Sequence, residues 1–326
     1  MSPVARERLF TPSSLARLQG VADVDVGTVF SELGSPAARA ALEPAEVLLT
    51  GWGCPPVDEA ALAAAPRLRA IVHAAGSVKR HVTPACWRRG IVVSTAAAAN
   101  AQPVAEYTVA AILLANKAAL QAARAYRERR ARIDALAEYP EVGNYARTVG
   151  LVGASRVGRR VIELLVPFDL RVLVSDPYLG EAEAARIGVE LRPLDELLAC
   201  ADVVSLHAPA LPSTRHLLDR RRLGLLRDGA ALVNTARGSL VDHDALLAEL
   251  RSGRISAVLD VTEPEPLGAD SPLFALPNVV LTPHIAGALG TEVRRLGDSA
   301  IEELARYAAG RPFAYPLVAA DLDRVA

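Results

Sequence analysis

At 326 residues the chain is longer than one hydrophobic core usually supports, which sets an expectation of two domains, and its 51% hydrophobic content can fill both. A formal net charge of −1 with dispersed arginines leaves no basic stripe; this excludes the electrostatic footprint of a nucleic-acid or membrane-surface binder and favours a small neutral or anionic ligand. Cys54, Cys86 and Cys200 are far apart and in no CxxC spacing, so they read as reduced thiols rather than a disulfide frame or metal site.

The chain opens on MSPVARERLF, with charges where a secretory peptide needs its apolar core, so a cytoplasmic protein is expected. Strand-like apolar runs then alternate with helical patterns. AEVLLT, RAIVHAA and IVVST, within about residues 45–95, predict a small sheet; TVGLVG, RVLVSD, VVSLHA, GAALVNT, SAVLD and NVVLTP predict a larger one beginning at Thr148. Such alternation implies an α/β protein of parallel sheets covered by helices. Between the two sets, PVAEYTVAAILLANKAALQAARAYRERRARIDAL reads as one continuous helix that bridges two lobes. Its most apolar part, Val104 to Leu120, is interrupted by Glu106 and Lys117 and falls short of the roughly 20 clean residues a membrane span requires. EVRRLGDSAIEELARYAAG is an amphipathic helix, stopped by Gly310 and Pro312 and expected to pack back on the first lobe.

TVGLVGASRVGRRVIELL orders a strand, a glycine-bearing turn and a helix, which exposes backbone amides and a helix dipole to a pyrophosphate. The next strand ends in Asp176, an acceptor for ribose hydroxyls that repels a 2′-phosphate, so NAD is expected rather than NADP. The turn reads Gly153-Ala-Ser155-Arg156-Val157-Gly158, with serine where the second glycine of GxGxxG belongs. That change weakens the motif, although the hydroxyl can itself donate to a phosphate. A tight strand-to-helix connection with no ligand is the plainer alternative.

Three further strand ends carry VNTARGSLVD, LDVTEPEPL and LTPHIAG, and ligands of doubly wound sheets gather beyond the carboxyl ends of strands. Hydride transfer to a ketone develops negative charge on oxygen, which the imidazolium of His284 can neutralise as general acid. Glu265 is the candidate carboxylate to orient that ring, and the Arg237 guanidinium offers a planar fork matched to a substrate carboxylate. Each has a plainer reading: a hydrogen-bonded surface histidine, a solvated glutamate, an arginine in a structural ion pair. Asp242 reads as a helix N-cap, with Gly253 closing the same helix.

Together these segments resemble the D-isomer-specific 2-hydroxyacid dehydrogenase family, in order from about Arg69 to Pro316, through VAEYT, VSLHAPALPSTRHLLD, LVNTARGSLVD and LDVTEPEPLGADSPLFALPNVVLTPHIAG. The resemblance implies two Rossmann-like, doubly wound parallel-sheet domains. Residues 1–99 with 288–326 would form a discontinuous, flavodoxin-like substrate domain, and residues 100–287 the NAD-binding domain. It implies that Arg237, Glu265 and His284 are catalytic and that Asp260 holds the nicotinamide amide. It places Val104, His207, Ala208, Pro209, Thr214, Thr235, Ala236 and Ala286 along the cofactor groove beside the 153–158 turn. The amides of Gly76, Ser77 and Val78 would grip the substrate carboxylate near Asn100, and a homodimer would assemble through the NAD domains. Many members carry aspartate where Lys79 stands; with Arg80-His81 this basic cluster suggests a second anionic group on the substrate, such as phosphate or phosphonate. Two rivals remain: an NAD-sensing corepressor-like interaction protein, for which the chain lacks extended tails, and an enzyme for a substrate other than a 2-keto or 2-hydroxy acid, such as formate or phosphite.

Overall fold

The computed structural model describes residues 1–322, which divide into two compact units: Met1–Ala101 together with the segment from Ala288 onward, and Gln102–Gly287.

In the first unit β1 (Val47–Thr50), β2 (Ala70–His73) and β3 (Val92–Thr95) pair in parallel in sequential order, and β11 (Pro316–Leu317) adds antiparallel to β3. The apolar runs foretell the first three strands. β11 carries no such signal, and its place is set by a buried carboxylate. Glu303, only 2% exposed, accepts from Ser94 Oγ at 2.6 Å and from the amides of Ala314 and Tyr315 at 3.0 and 3.2 Å, tying the terminal strand to β3. Glu303 lies on the helix Val293–Ala308, whose Val293, Leu296, Ala300, Ile301 and Leu304 recur at helical spacing and pack into the first unit's core. Glu303→Ala should therefore remove the acceptor these three donors share and cost about 1–3 kcal/mol, read as a lowered denaturant midpoint; an unchanged midpoint would contradict the assignment.

In the second unit β4 (Arg147–Val152), β5 (Leu170–Ser175), β6 (Glu190–Leu191), β7 (Val203–Leu206), β8 (Ala231–Asn234), β9 (Ser256–Leu259) and β10 (Val279–Leu281) form one parallel sheet in the order β10-β9-β8-β7-β4-β5-β6. Alternate residues of each strand feed opposite cores: Leu151, Val174, Val203 and Val258 one face, Val152, Leu173, Val204 and Leu259 the other. Burial on both faces is why these strands read as unbroken apolar runs. The order reverses between β4 and β7, the topological switch point where doubly wound sheets take their ligands.

The single helix expected over residues 103–136 is three pieces, Ala97–Asn116, Ala119–Arg129 and Ala135–Glu138. The first break is at Ala118, with φ +45°, and the Asn116 carbonyl accepts from Gly143 N at 2.8 Å. Val109 and Ile112 pack in the core, whereas Ala119–Arg129 buries nothing, so no shared apolar face keeps the two helices collinear. No helix of the described residues is long and apolar enough to cross a membrane.

Candidate active site

At the switch point the glycine turn and the loop after β7 meet backbone to backbone. Gly153 has φ +102°, and a Cβ there would lie 2.8 Å from Ala208 N and 2.9 Å from the His207 carbonyl carbon. A Cβ on Gly158 would lie 2.3 Å from Gly153 O, so the helix Arg156–Leu165 starts hard against the strand end. Ser155 caps this helix: its Oγ accepts from Gly158 N at 3.4 Å, which leaves its own proton to donate. The amides of Arg156 and Val157, in the first turn, have no carbonyl four residues back to bond. A pyrophosphate therefore fits here despite the serine, because the crowded positions keep their glycines and the substituted one supplies a donor. Asp176, just beyond β5, accepts from Ala154 N at 2.6 Å and Tyr178 N at 2.7 Å; it braces the turn and keeps acceptor capacity for a ribose.

His207 is buried against Ser205 Oγ at 3.0 Å, and burial pushes its imidazole down to about 4, so it is a neutral wall rather than a proton carrier. Thr214 holds the Pro209–Thr214 turn, donating to Pro209 O at 2.5 Å and accepting from Leu211 N at 2.9 Å.

The loops after β8, β9 and β10 carry the candidate chemistry. His284 Nδ1 lies 2.6 Å from Glu265 Oε1; since a carboxylate only accepts, Nδ1 carries the proton and Nε2 is left for a substrate. Both side chains are about half exposed. The Arg237 guanidinium is half-buried, and burial lowers it from its ordinary value while the Glu265 charge raises it. Its Nη1 donates to Ala236 O at 2.6 Å, and it forms no ion pair within hydrogen-bonding range among the described residues. Asn234 pins this turn, accepting from Ala236 N at 3.1 Å and donating to Arg237 O at 2.9 Å. Asp242 caps the helix His243–Arg251 through Ala245 N at 3.0 Å, and Gly253 follows with φ +75°.

Around His284 the backbone is unusual: φ is +54°, a left-handed conformation uncommon for any residue but glycine, and here the surroundings hold it. Asp260, 2% exposed, imposes it. Its carbonyl accepts from His284 N at 2.9 Å, and its carboxylate accepts from Thr282 Oγ1 at 2.6 Å, Ile285 N at 2.8 Å and Ala286 N at 2.9 Å. Sequence reasoning offers Asp260 for the nicotinamide amide; what the structure shows is a clamp of the histidine loop. Thr282 and Tyr107, linked at 2.8 Å, are missed altogether, and the only signal is that both fall inside family-like phrases. Val104 and Thr235 meet through Thr108, which donates to Val104 O at 2.7 Å and lies 2.8 Å from Thr235 Oγ1.

The remaining candidates belong to the first unit. Gly76 sits beside Asn100, whose Nδ2 lies 3.7 Å from where a Cβ would be, and Asn100 Oδ1 accepts from Ala288 N at 2.9 Å. Val78 is buried, with its carbonyl accepting from His81 N and Val82 N; Ser77, Lys79 and Arg80 are exposed, and the latter two form no ion pair among the described residues. Beneath them His73 is buried with Nδ1 2.8 Å from Thr50 Oγ1, and burial pushes it down to about 3.

A dinucleotide turn at a sheet switch point, with an imidazole–carboxylate pair and a half-buried guanidinium beyond neighbouring strands, is the organisation of an α/β oxidoreductase. Residues 109–286 match the NAD binding domain of the D-isomer specific 2-hydroxyacid dehydrogenases, and the chain belongs to that family. It is 37% identical over 255 residues to a D-3-phosphoglycerate dehydrogenase of Mycobacterium leprae, covering 78% of this chain and 48% of that protein. It is 34% identical over 260 residues to a glyoxylate reductase of Korarchaeum cryptofilum, covering 78% of this chain and 77% of that one. A solved structure from Thermus thermophilus superposes with a TM-score of 0.74 at 33% identity, covering 95% of this chain and 98% of that chain. The chain spans about half the length of the phosphoglycerate dehydrogenases it matches.

Proposed function

We propose that the protein is an NAD-dependent dehydrogenase that moves a hydride between the cofactor and a small 2-keto or 2-hydroxy acid. The observation that carries this reading is the 2.6 Å contact between His284 Nδ1 and Glu265, which leaves Nε2 as a directed proton donor. Bound NADH supplies the hydride, and the 153–158 turn, Asp176 and the 207–209 loop are the residues suited to hold it. Arg237, with no acidic partner in hydrogen-bonding range among the described residues, takes the substrate carboxylate and polarises the adjacent carbonyl. His284 gives its Nε2 proton to the carbonyl oxygen, and Glu265 stabilises the imidazolium; in the reverse direction neutral His284 removes the hydroxyl proton. Lys79 and Arg80, exposed and in no ion pair among the described residues, offer the first unit an anion site, which extends the substrate class to acids bearing phosphate or phosphonate, in keeping with the names of the phosphoglycerate dehydrogenase relatives. The reading also has the protein act in the cytoplasm.

A spectrophotometric panel of glyoxylate, hydroxypyruvate, phenylpyruvate, phosphonopyruvate and phosphohydroxypyruvate with NADH and NADPH tests this. At least one acid should turn over with NADH at least tenfold better than with NADPH, and Asp176→Ala should narrow that ratio. Lys79→Ala should penalise the phosphorylated acids selectively. A wholly silent panel would transfer the weight to an NAD-sensing, corepressor-like role.

The same reading includes a homodimer built on the NAD-binding unit. Its support is the segment after Asn116: the helix Ala119–Arg129 buries no residue, and Tyr126, Leu136 and Tyr145 are 61%, 87% and 81% exposed. Light scattering should give a dimer mass for the wild type and a monomer for Tyr126→Glu/Leu136→Glu; a monomeric wild type would sink this part.

A further inference from the structure

The geometry points to Tyr107 and Thr108, consecutive residues of the helix Ala97–Asn116, as positioning residues that separately hold the His284 loop and the Arg237 loop. The inference rests on the proposed function for its catalytic consequence, though not for its geometry.

The direction of each hydrogen bond follows from proton count. Thr282 has one hydroxyl proton and donates it to Asp260 Oδ1 at 2.6 Å. Tyr107 Oη, 2.8 Å from the Thr282 hydroxyl oxygen, must therefore be the donor in that bond. Partial burial pushes the Tyr107 phenol up from its ordinary value, and the Asp260 charge adds to this, so the donor keeps its proton. The order Tyr107 to Thr282 to Asp260 runs one way into the carboxylate that clamps residues 284 to 286. Phenol and threonine hydroxyl polarise one another along such a chain, and the phenol fixes the threonine rotamer that faces Asp260. Thr108 is the mirror case: its proton goes to Val104 O at 2.7 Å, so Thr235 donates to Thr108 at 2.8 Å. Thr235 stands two residues before Arg237. Thr108 is fully buried among Val104, Ala105, Val109 and Ile112, so both bonds start from one rigid stretch of helix.

The two arms predict separable defects. Tyr107→Phe should lower kcat about tenfold, leaving KM for the keto acid within twofold, because the proton donor is displaced and the anion site is not. Thr108→Val should raise that KM about fivefold with kcat within threefold. Thr282→Val should reproduce the Tyr107→Phe signature, and Tyr107→Phe/Thr282→Val should be no slower than Thr282→Val alone, since the phenol acts through that hydroxyl. Thr282→Ser should restore most of the rate lost in Thr282→Val. Independently of turnover, the imidazole 15N signals of His284, assigned by their loss in His284→Ala, should move or broaden in Tyr107→Phe and stay put in Thr108→Val. Unmoved signals in Tyr107→Phe, or the same kcat and KM pattern from both arms, would overturn the inference. Moved signals in a protein that reduces no 2-keto acid would uphold it and sink the proposed function instead.

Discussion

His284→Ala should lower kcat for keto-acid reduction between about a hundred- and ten-thousandfold, the span general acid catalysis supplies, with much smaller change in NADH affinity. The reason is that the imidazole is the group left with a directed, unoccupied nitrogen once Nδ1 is engaged by Glu265 at 2.6 Å. Glu265→Gln should be milder, about ten- to a hundredfold, because an amide oxygen can still accept from Nδ1 and keep the ring oriented while the charge that favours the imidazolium is gone. The pH sign follows from the stoichiometry. Reduction takes up a proton and oxidation of the 2-hydroxy acid releases one, so raising the pH should favour oxidation over reduction. Steady-state kinetics in both directions across pH 5–9, with NADH binding followed by fluorescence, would measure all three. Near-normal turnover by His284→Ala would remove the imidazole from the mechanism.

Much of this was legible in the chain because it is written in local patterns. Strands of helix-covered parallel sheets are apolar over most of their length, so nine of them announce themselves, and a turn that crowds backbone against backbone must keep Gly153 and Gly158. What was illegible is tertiary. β6 and β11 are two residues long, too short for any periodicity, and β11 is held by Glu303, which an amphipathic reading of its helix assigns to no special task. The turn at Ala118 has no glycine to mark its left-handed φ, and neither has His284. Asp260 reads as a ligand contact because sequence shows its type and position but not the three donors that surround it. The same holds for Tyr107, whose partner stands 175 positions later.

Gly238→Ala should be nearly as damaging as losing a catalytic group, although position 238 carries no chemistry. A Cβ there would lie 2.1 Å from both the carbonyl carbon and the oxygen of Thr262 and 2.6 Å from Glu263 N. These are backbone atoms, so no rotamer change relieves the clash; the chain following Arg237 and the chain leading to Glu265 must move apart. Crowding, not a positive φ, is the demand glycine meets here. Displacements of about 1 Å in a reacting constellation can cost about a hundredfold, so kcat/KM should fall by at least that factor. Overpacking should also destabilise the fold by about 1–3 kcal/mol. NADH affinity should change less than about threefold, because the 153–158 turn rests on Ala208 and not on this contact. The control is Gly253→Ala, where a Cβ meets nothing within 4 Å and the cost comes only from φ +75°: it should lose stability but keep its kcat/KM. If Gly238→Ala kept wild-type turnover, the close approach of these two loops could not be what sets Arg237 and Glu265 at their working separation.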